Sequence, residues 1–201
     1  MKALWTVTLA TAVLSLGACG SSPPTRYFTL DASNGGSPVT GLSDVSIGVG
    51  PFMLPDLLDR PQIVVRGSGN EVIINEFERW ADDINTRFQA VVAQNLVVAT
   101  GSKHIYEHPW RNNFSTDYRI LGTVDEFAAN TSGAVRLKIR WVIQDGEGEE
   151  VLATREGVYT ESADADQYGQ IAAAMSRAIG AMATEMAGVL AETAATTSSS
   201  D

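Results

Sequence analysis

The 201-residue chain holds one cysteine and two histidines, so the side chains that most often carry metal, redox or nucleophilic chemistry are nearly missing. A lone Cys19 forms no internal disulfide. His104 and His108 are four residues apart, a metal spacing only on a helix, and Pro109 in "HIYEHPW" argues against a helix there. Both histidines read as surface or packing residues. No serine sits in a nucleophile-elbow pattern, and the glycine turns "GVGPF" and "GSGN" lack the lysine of a phosphate loop. Acids do occur in groups, but Asp82-Asp83 and the Glu147, Glu149, Glu150 turn read as solvated charge, and Asp164 with Asp166 as a helix cap. Basic residues are scarce: 14 Lys and Arg face 24 Asp and Glu, a formal net charge of −10. That balance argues against nucleic acid and against a basic patch for anionic headgroups. The residues point away from catalysis, with no cofactor and no metal expected.

A membrane-spanning run is also missing. Ala3 to Leu16 is almost wholly apolar behind Met1-Lys2, but it falls short of the roughly 20 residues a spanning helix needs. A positive start, a short apolar core and small residues before a break describe a secretory signal peptide. The break, Leu16-Gly17-Ala18-Cys19, resembles the bacterial lipobox. Cleavage before Cys19 would leave its thiol as a diacylglyceryl thioether with the new amino group acylated, and more than one chain makes anchoring stable. Gly20 rather than Asp follows, which resembles lipoproteins sent to the outer membrane. The ordinary alternative is a signal peptide cut elsewhere with a spare cysteine.

What is present reads as one α/β domain. The chain divides into a signal peptide (1–18), a lipidated tether (19–25), a domain (26–192) and a low-complexity tail (193–201) read as disordered. Strands are expected at 26–30, at 45–52, where small residues suggest another element crossing closely, and at 62–66 paired to 71–77 through the turn 67–70. From about Ala81 the period becomes helical, with Trp80, Ile84, Phe88, Val91, Val92 and Leu96 recurring and Asp82 and Asp83 in the first turn; the helix stops near Gly101. A short strand at 104–106 precedes three strand-like stretches, 117–130, 134–145 and 149–162, which look like an antiparallel meander. A second helix, about 164–191, carries a stripe of Tyr168, Ile171, Met175, Ile179, Met182, Met186 and Val189. The methionines read as core packing or as an adaptable groove.

The segment that stands out is "VGPFMLPDLLDRPQIVVR". It joins two strands through a proline-bracketed loop with Leu54, Pro55, Leu57, Leu58 and Arg60 among acids. The leucines either plug one end of the core, with Arg60 pairing a local acid, or form an exposed contact surface for a partner or for self-assembly. Trp80 reads as a core cap or a binding residue.

With "RYFTL", "EFERWADDINTRFQAVVAQNL", "HPW" and "DYRILGTVDEF", these residues resemble the ABC-type transport auxiliary lipoproteins, the PqiC-like family, from Cys19 to about Leu190. The most specific part is Pro55, Leu58, Asp59, Arg60, Ile63, Val64 and Arg66, with Arg79-Trp80 downstream. Leu57 stands where many members carry an aromatic, a departure that keeps the position apolar. The resemblance implies a mixed sheet with packed helices similar to the anticodon-binding-domain-like fold, with Arg66 and Trp80 structural. It implies a non-enzymatic lipoprotein on the periplasmic face of the outer membrane. Its partners would be an MCE-domain protein and inner-membrane transporter components that move lipids, phospholipid among them, between membranes. A homo-oligomeric ring is compatible with that role. The competing reading is a stand-alone envelope lipoprotein that binds peptidoglycan or assists outer-membrane assembly.

Overall fold

The computed structural model describes residues 23–33, 36–110 and 115–198. Its elements follow the order β1 (Arg26–Phe28), β2 (Ile47–Met53), β3 (Gln62–Arg66), β4 (Val72–Trp80), α1 (Ile84–Thr100), β5 (Ile105–Glu107), β6 (Tyr118–Asn130), β7 (Ala134–Asp145), β8 (Val151–Ser162) and α2 (Tyr168–Ser198). The strands form one mixed sheet organised around β6.

On one side of β6, β7 pairs antiparallel along its whole length and β8 pairs antiparallel with β7. On the other side two strands share the length of β6. β2 runs parallel to Tyr118–Thr123, and β3 runs parallel to Ala129 and Asn130. The chain therefore leaves the sheet after Met53, loops out, and re-enters further along the same strand. β5 extends β2, while β4 and then β1 extend β3. The sheet is thus continuous on the meander side and divided on the other.

Alternation along the strands decides which face is buried. On β7 the residues Val135, Leu137, Ile139, Trp141 and Ile143 all point to the helices and are essentially inaccessible. Arg136, Lys138 and Arg140 lie on the opposite face, where Asp125, Glu126 and Glu156 pair with them. α1 packs on β2 and β5, α2 on β7 and β8, and the two helices pack on each other. A stack of three edge-to-face rings, Phe52–Phe88–Phe127, with centroids 5.8 and 5.3 Å apart, ties β2, α1 and β6 together.

Several boundaries differ from the sequence reading: β1 ends at Phe28, and α2 begins at Tyr168, beyond the Asp164 and Asp166 pair read as its cap. Trp80 ends β4 rather than opening the helical stripe, because β1 pairs with β4 through Phe28 and Trp80 and extends the ladder. Asp83 is the N-cap of α1, its carboxylate accepting from the Thr86 amide at 2.8 Å, and Asp82 precedes the cap. The tail is helical from Thr193 to Ser198 as a continuation of α2. Its threonine hydroxyls donate to the carbonyls four residues back, from Thr193 to Val189, Thr196 to Glu192 and Thr197 to Thr193, so the polar side chains find partners within the helix itself. The methionine stripe is core: Met175, Met182 and Met186 are buried, which removes the groove reading.

Candidate functional site

The proline-bracketed loop fills the gap where β2 and β3 part. Two tight turns shape it: the Leu58 amide donates to the Pro55 carbonyl at 2.8 Å, and the Arg60 amide to the Leu58 carbonyl at 2.8 Å. Leu54 and Leu58 enter the core, at 9% and 8% exposure, and Leu57 packs partly against it. The loop is therefore a plug first. Of the five residues read as a partner surface, Leu54 and Leu58 cannot present their side chains to a partner in this fold, because the divided sheet would otherwise open over Phe127 and Val64. Pro55, Leu57 and Arg60 remain at the surface.

Two clefts flank the loop. One, of about 130 Å³, is lined by Pro55, Leu57, Leu58 and Arg66 against Asp125 to Ala128 of β6. The other, of about 310 Å³, is lined by Asp59, Arg60, Pro61 and Trp80 and by Asp82 and Asp83 ahead of α1. The fold thus brings Pro55, Leu58, Asp59, Arg60, Val64, Arg66 and Trp80 of the motif to one neighbourhood, divided between two sides of the loop, while Ile63 is buried in the core. Trp80 is 7% exposed and its amide donates to the Pro61 carbonyl at 2.6 Å, so it closes the core. The expected pairing of Arg60 with a local acid is not formed: among the described residues no ion pair within 4.0 Å involves it, and its buried Nε has no hydrogen-bond partner. Asp83 is committed elsewhere, its carboxyl held below the usual range by the Thr86 amide.

The histidines are not brought together as ligands. His108 packs edge-on to Trp110 at 5.2 Å, and its carbonyl accepts from the Gln89 side chain; His104 is exposed. Among the described residues no three His, Cys, Asp or Glu side chains converge on a metal-sized site. Trp110 instead lies against Gly48 of β2, where a Cβ would come within 3.0 Å of its ring, and the guanidinium of Arg119, in register with Gly48, lies 4.9 Å from the ring centroid. This is the close crossing that the small residues of β2 suggested. A second feature has no local signal in the residues around it: Glu78 is 6% exposed and takes two hydrogen bonds from Arg26, at 3.0 and 2.6 Å, across 52 residues of chain. Cys19 lies outside the described residues.

A two-layer α/β domain with a divided sheet, open clefts and no catalytic cluster among the described residues is the class of molecule present. Crystal structures share it. A protein of the DUF330 family from Xanthomonas campestris superposes with a TM-score of 0.70 over 87% of this chain and 99% of its own, at 16% identity. An uncharacterized protein superposes with a TM-score of 0.67 over 84% of this chain and 99% of its own, at 15% identity. No curated protein matches the chain. Residues 28–187 match the ABC-type transport auxiliary lipoprotein component, and the chain belongs to that family. It is an auxiliary component of ABC-type transport, and its fold is the mixed α/β arrangement of that family. No described helix is long and apolar enough to cross a membrane.

Proposed function

We propose that the chain is a periplasmic lipoprotein, anchored to the outer membrane through lipid on Cys19, that serves an MCE-type intermembrane lipid transport system by binding rather than by catalysis. The observation that carries this reading is the family match, which begins at residue 28, close behind the lipobox-like Leu16–Cys19 stretch, and takes in most of the domain. The loop supplies a rigid docking point: its buried leucines fix its shape, and Pro55, Leu57, Arg60 and Arg66 stand at the rims of the two clefts. A ring of copies facing the end of an MCE assembly fits a component whose distinctive groups lie in surface loops.

The experiment pairs two variants. Cys19→Ser releases the protein from membranes or leaves it unprocessed, and mass spectrometry of the wild-type N-terminal peptide shows the acyl groups; a mature peptide without acyl mass ends the anchor reading. Leu57→Asp, at a partly exposed rim position, keeps the melting temperature within a few degrees and weakens binding to the MCE partner about tenfold or more, the effect of losing one buried leucine. A folded Leu57→Asp protein that binds and assembles normally removes the loop from the interface.

A further inference from the structure

The sheet ends in strands of very different length. β1 and β5 are three residues each and offer a second chain little, whereas β8 runs for twelve residues and, among the described residues, pairs with β7 alone. Its register against β7 holds without a shift from Ala153 to Ser162, so the faces of that stretch are fixed. Gly157 and Tyr159 face the helices, in register with the buried Ile139 and Leu137. Glu156, Val158 and Thr160 lie on the opposite face, in register with Arg140, Lys138 and Arg136. Val158 is 49% exposed.

The backbone alternates as well. Just past β8 the Ala163 amide donates to the Gly133 carbonyl at 2.9 Å, which turns the odd-numbered residues of the strand toward β7 and the even-numbered ones toward the open edge. Two side chains close that edge at its ends. Arg155 Nη1 donates to the Thr154 carbonyl at 2.9 Å, and Arg177 Nη2, from α2, donates to the Ser162 carbonyl at 2.9 Å. Between them the N–H and C=O groups of Glu156, Val158 and Thr160 face outward, and among the described residues nothing meets them. Thr154 and Ser162 stand equally far along the strand on either side of Val158, so the open stretch is centred on that residue.

We propose that this stretch pairs with β8 of a second copy, antiparallel about a two-fold axis through Val158. The capped ends and the charges select that register. With the axis there, Val158 meets its own counterpart, Glu156 meets Thr160 and Arg155 meets Glu161, and each outward-facing pair exchanges both main-chain hydrogen bonds. An axis at Gly157 sets Thr160 against the capped Thr154, one at Tyr159 sets Glu156 against the capped Ser162, and one at Glu156 sets two carboxylates side by side. Arg155 is exposed and forms no ion pair among the described residues, whereas Glu161 is held by Arg177 at 2.8 Å on the same helix-facing side. The second copy thus supplies the acid that Arg155 lacks. Glu156 is already answered by Lys138 at 3.0 Å, so two chains of net −10 can meet here without stacking free negative charge. Beside Arg155 there is room: a cleft of about 440 Å³ separates residues 152–155 from the last turns of α2. The contact is isologous and closes at two copies by itself, and it requires neither the lipid anchor nor the transport partner. A ring would need a further contact elsewhere on the domain.

The test uses the full chain purified in mild detergent, with the wild-type protein as the control for any dimer through Cys19. Oxidised with copper phenanthroline, Val158→Cys forms a covalent dimer, because paired Cα atoms at such a position lie about 5.5 Å apart. Glu156→Cys alone does not, because its two copies lie about 14 Å apart along the strands; co-expressed with Thr160→Cys it does, as the mixed species. Val158→Lys, a cation on an open edge, halves the assembled mass by sedimentation and keeps the melting temperature within a few degrees. Arg155→Glu, which sets like charges across the axis, weakens association about tenfold. A Val158→Cys chain that stays monomeric on oxidation, a Glu156→Cys chain that cross-links as well as Val158→Cys, or a mass unchanged by folded Val158→Lys overturns the proposal. So does cross-linking of Val158→Cys in whole cells to a chain of another mass, which gives the edge to a different protein. The cysteine variants decide the matter alone if Val158→Lys does not fold.

Discussion

The two flanks of β6 are built in opposite ways. On the meander flank, β7 and β8 follow β6 in sequence, each pairing with its predecessor over nearly its full length. On the divided flank, β2 and β3 precede β6 by dozens of residues, pair parallel to it over short stretches, and leave a gap that a loop must fill. The meander is held by local turns and a continuous ladder. The divided flank is held by side chains: Leu54 and Leu58 in the gap, and Arg26 on Glu78 at the edge. Contacts that are close in sequence form at little loop-closure cost, whereas the others must recover it through burial.

The largest test of this contrast removes one core side chain from each flank. Trp141→Ala, on β7 and 1% exposed, costs about 3–5 kcal/mol, and Leu58→Ala about 2–5 kcal/mol, both read from urea unfolding. Hydrogen exchange separates them. Leu58→Ala speeds exchange in β3 and β4 before β7 and β8 respond. Uniform acceleration would mean that the flanks open as one unit.

The hairpin turns come next. Gly133, between β6 and β7, has φ +82°, and a Cβ there would lie 2.1 Å from the Ala163 carbonyl oxygen. Gly69, between β3 and β4, has φ +60° and nothing within 4 Å. Gly69→Ala therefore costs the left-handed strain alone, about 1 kcal/mol, while Gly133→Ala costs distinctly more because backbone must move. Equal losses by thermal unfolding would show that crowding at the meander turn is relieved without cost.

A smaller difference separates two ion pairs. The partner of Arg26 is Glu78, 8% exposed at its side chain, and the partner of Arg136 is Glu126, 33% exposed. Arg26→Ala strands a buried carboxylate and lowers the melting temperature by several degrees, whereas Arg136→Ala leaves it nearly unchanged. A silent Arg26→Ala would mean that water reaches Glu78.

The smallest effects are set by pH. Burial beside Glu185 raises the Tyr159 phenol above its ordinary value. The folded state keeps a proton that the unfolded chain releases near pH 10, so stability is intact below that pH and falls above it, and Tyr159→Phe flattens the alkaline slope. The lowered carboxyl of Asp83 acts at the other end. Its contribution is present above about pH 4 and is lost as acid protonates the cap; Asp83→Ala removes about 1 kcal/mol at neutral pH and with it part of the acid slope. An Asp83→Ala protein with unchanged acid unfolding would place the acid transition in other groups.

Most of the meander was legible because its turns and alternation lie within one stretch: the strand expected at 134–145 is β7 to the residue. Parts of the divided flank were legible as strands but not as partners. Nothing in "IGVGPFM" or "QIVVR" says that both lie along the same strand, and nothing near Arg26 points to Glu78. The loop's two readings also stayed open in the sequence, since leucines spaced among acids look the same whether they enter a core or face a partner.

By itself the sequence determined the elements, the faces of the long strands and helices, and the family. Each follows from local periodicity, composition or motif. Only the tertiary structure decided that β6 is shared by β2 and β3, that Leu54 and Leu58 are plugs while Leu57 stays at a rim, and that Glu78 is buried. These depend on which distant segments meet, and burial is a property of that meeting rather than of any residue alone.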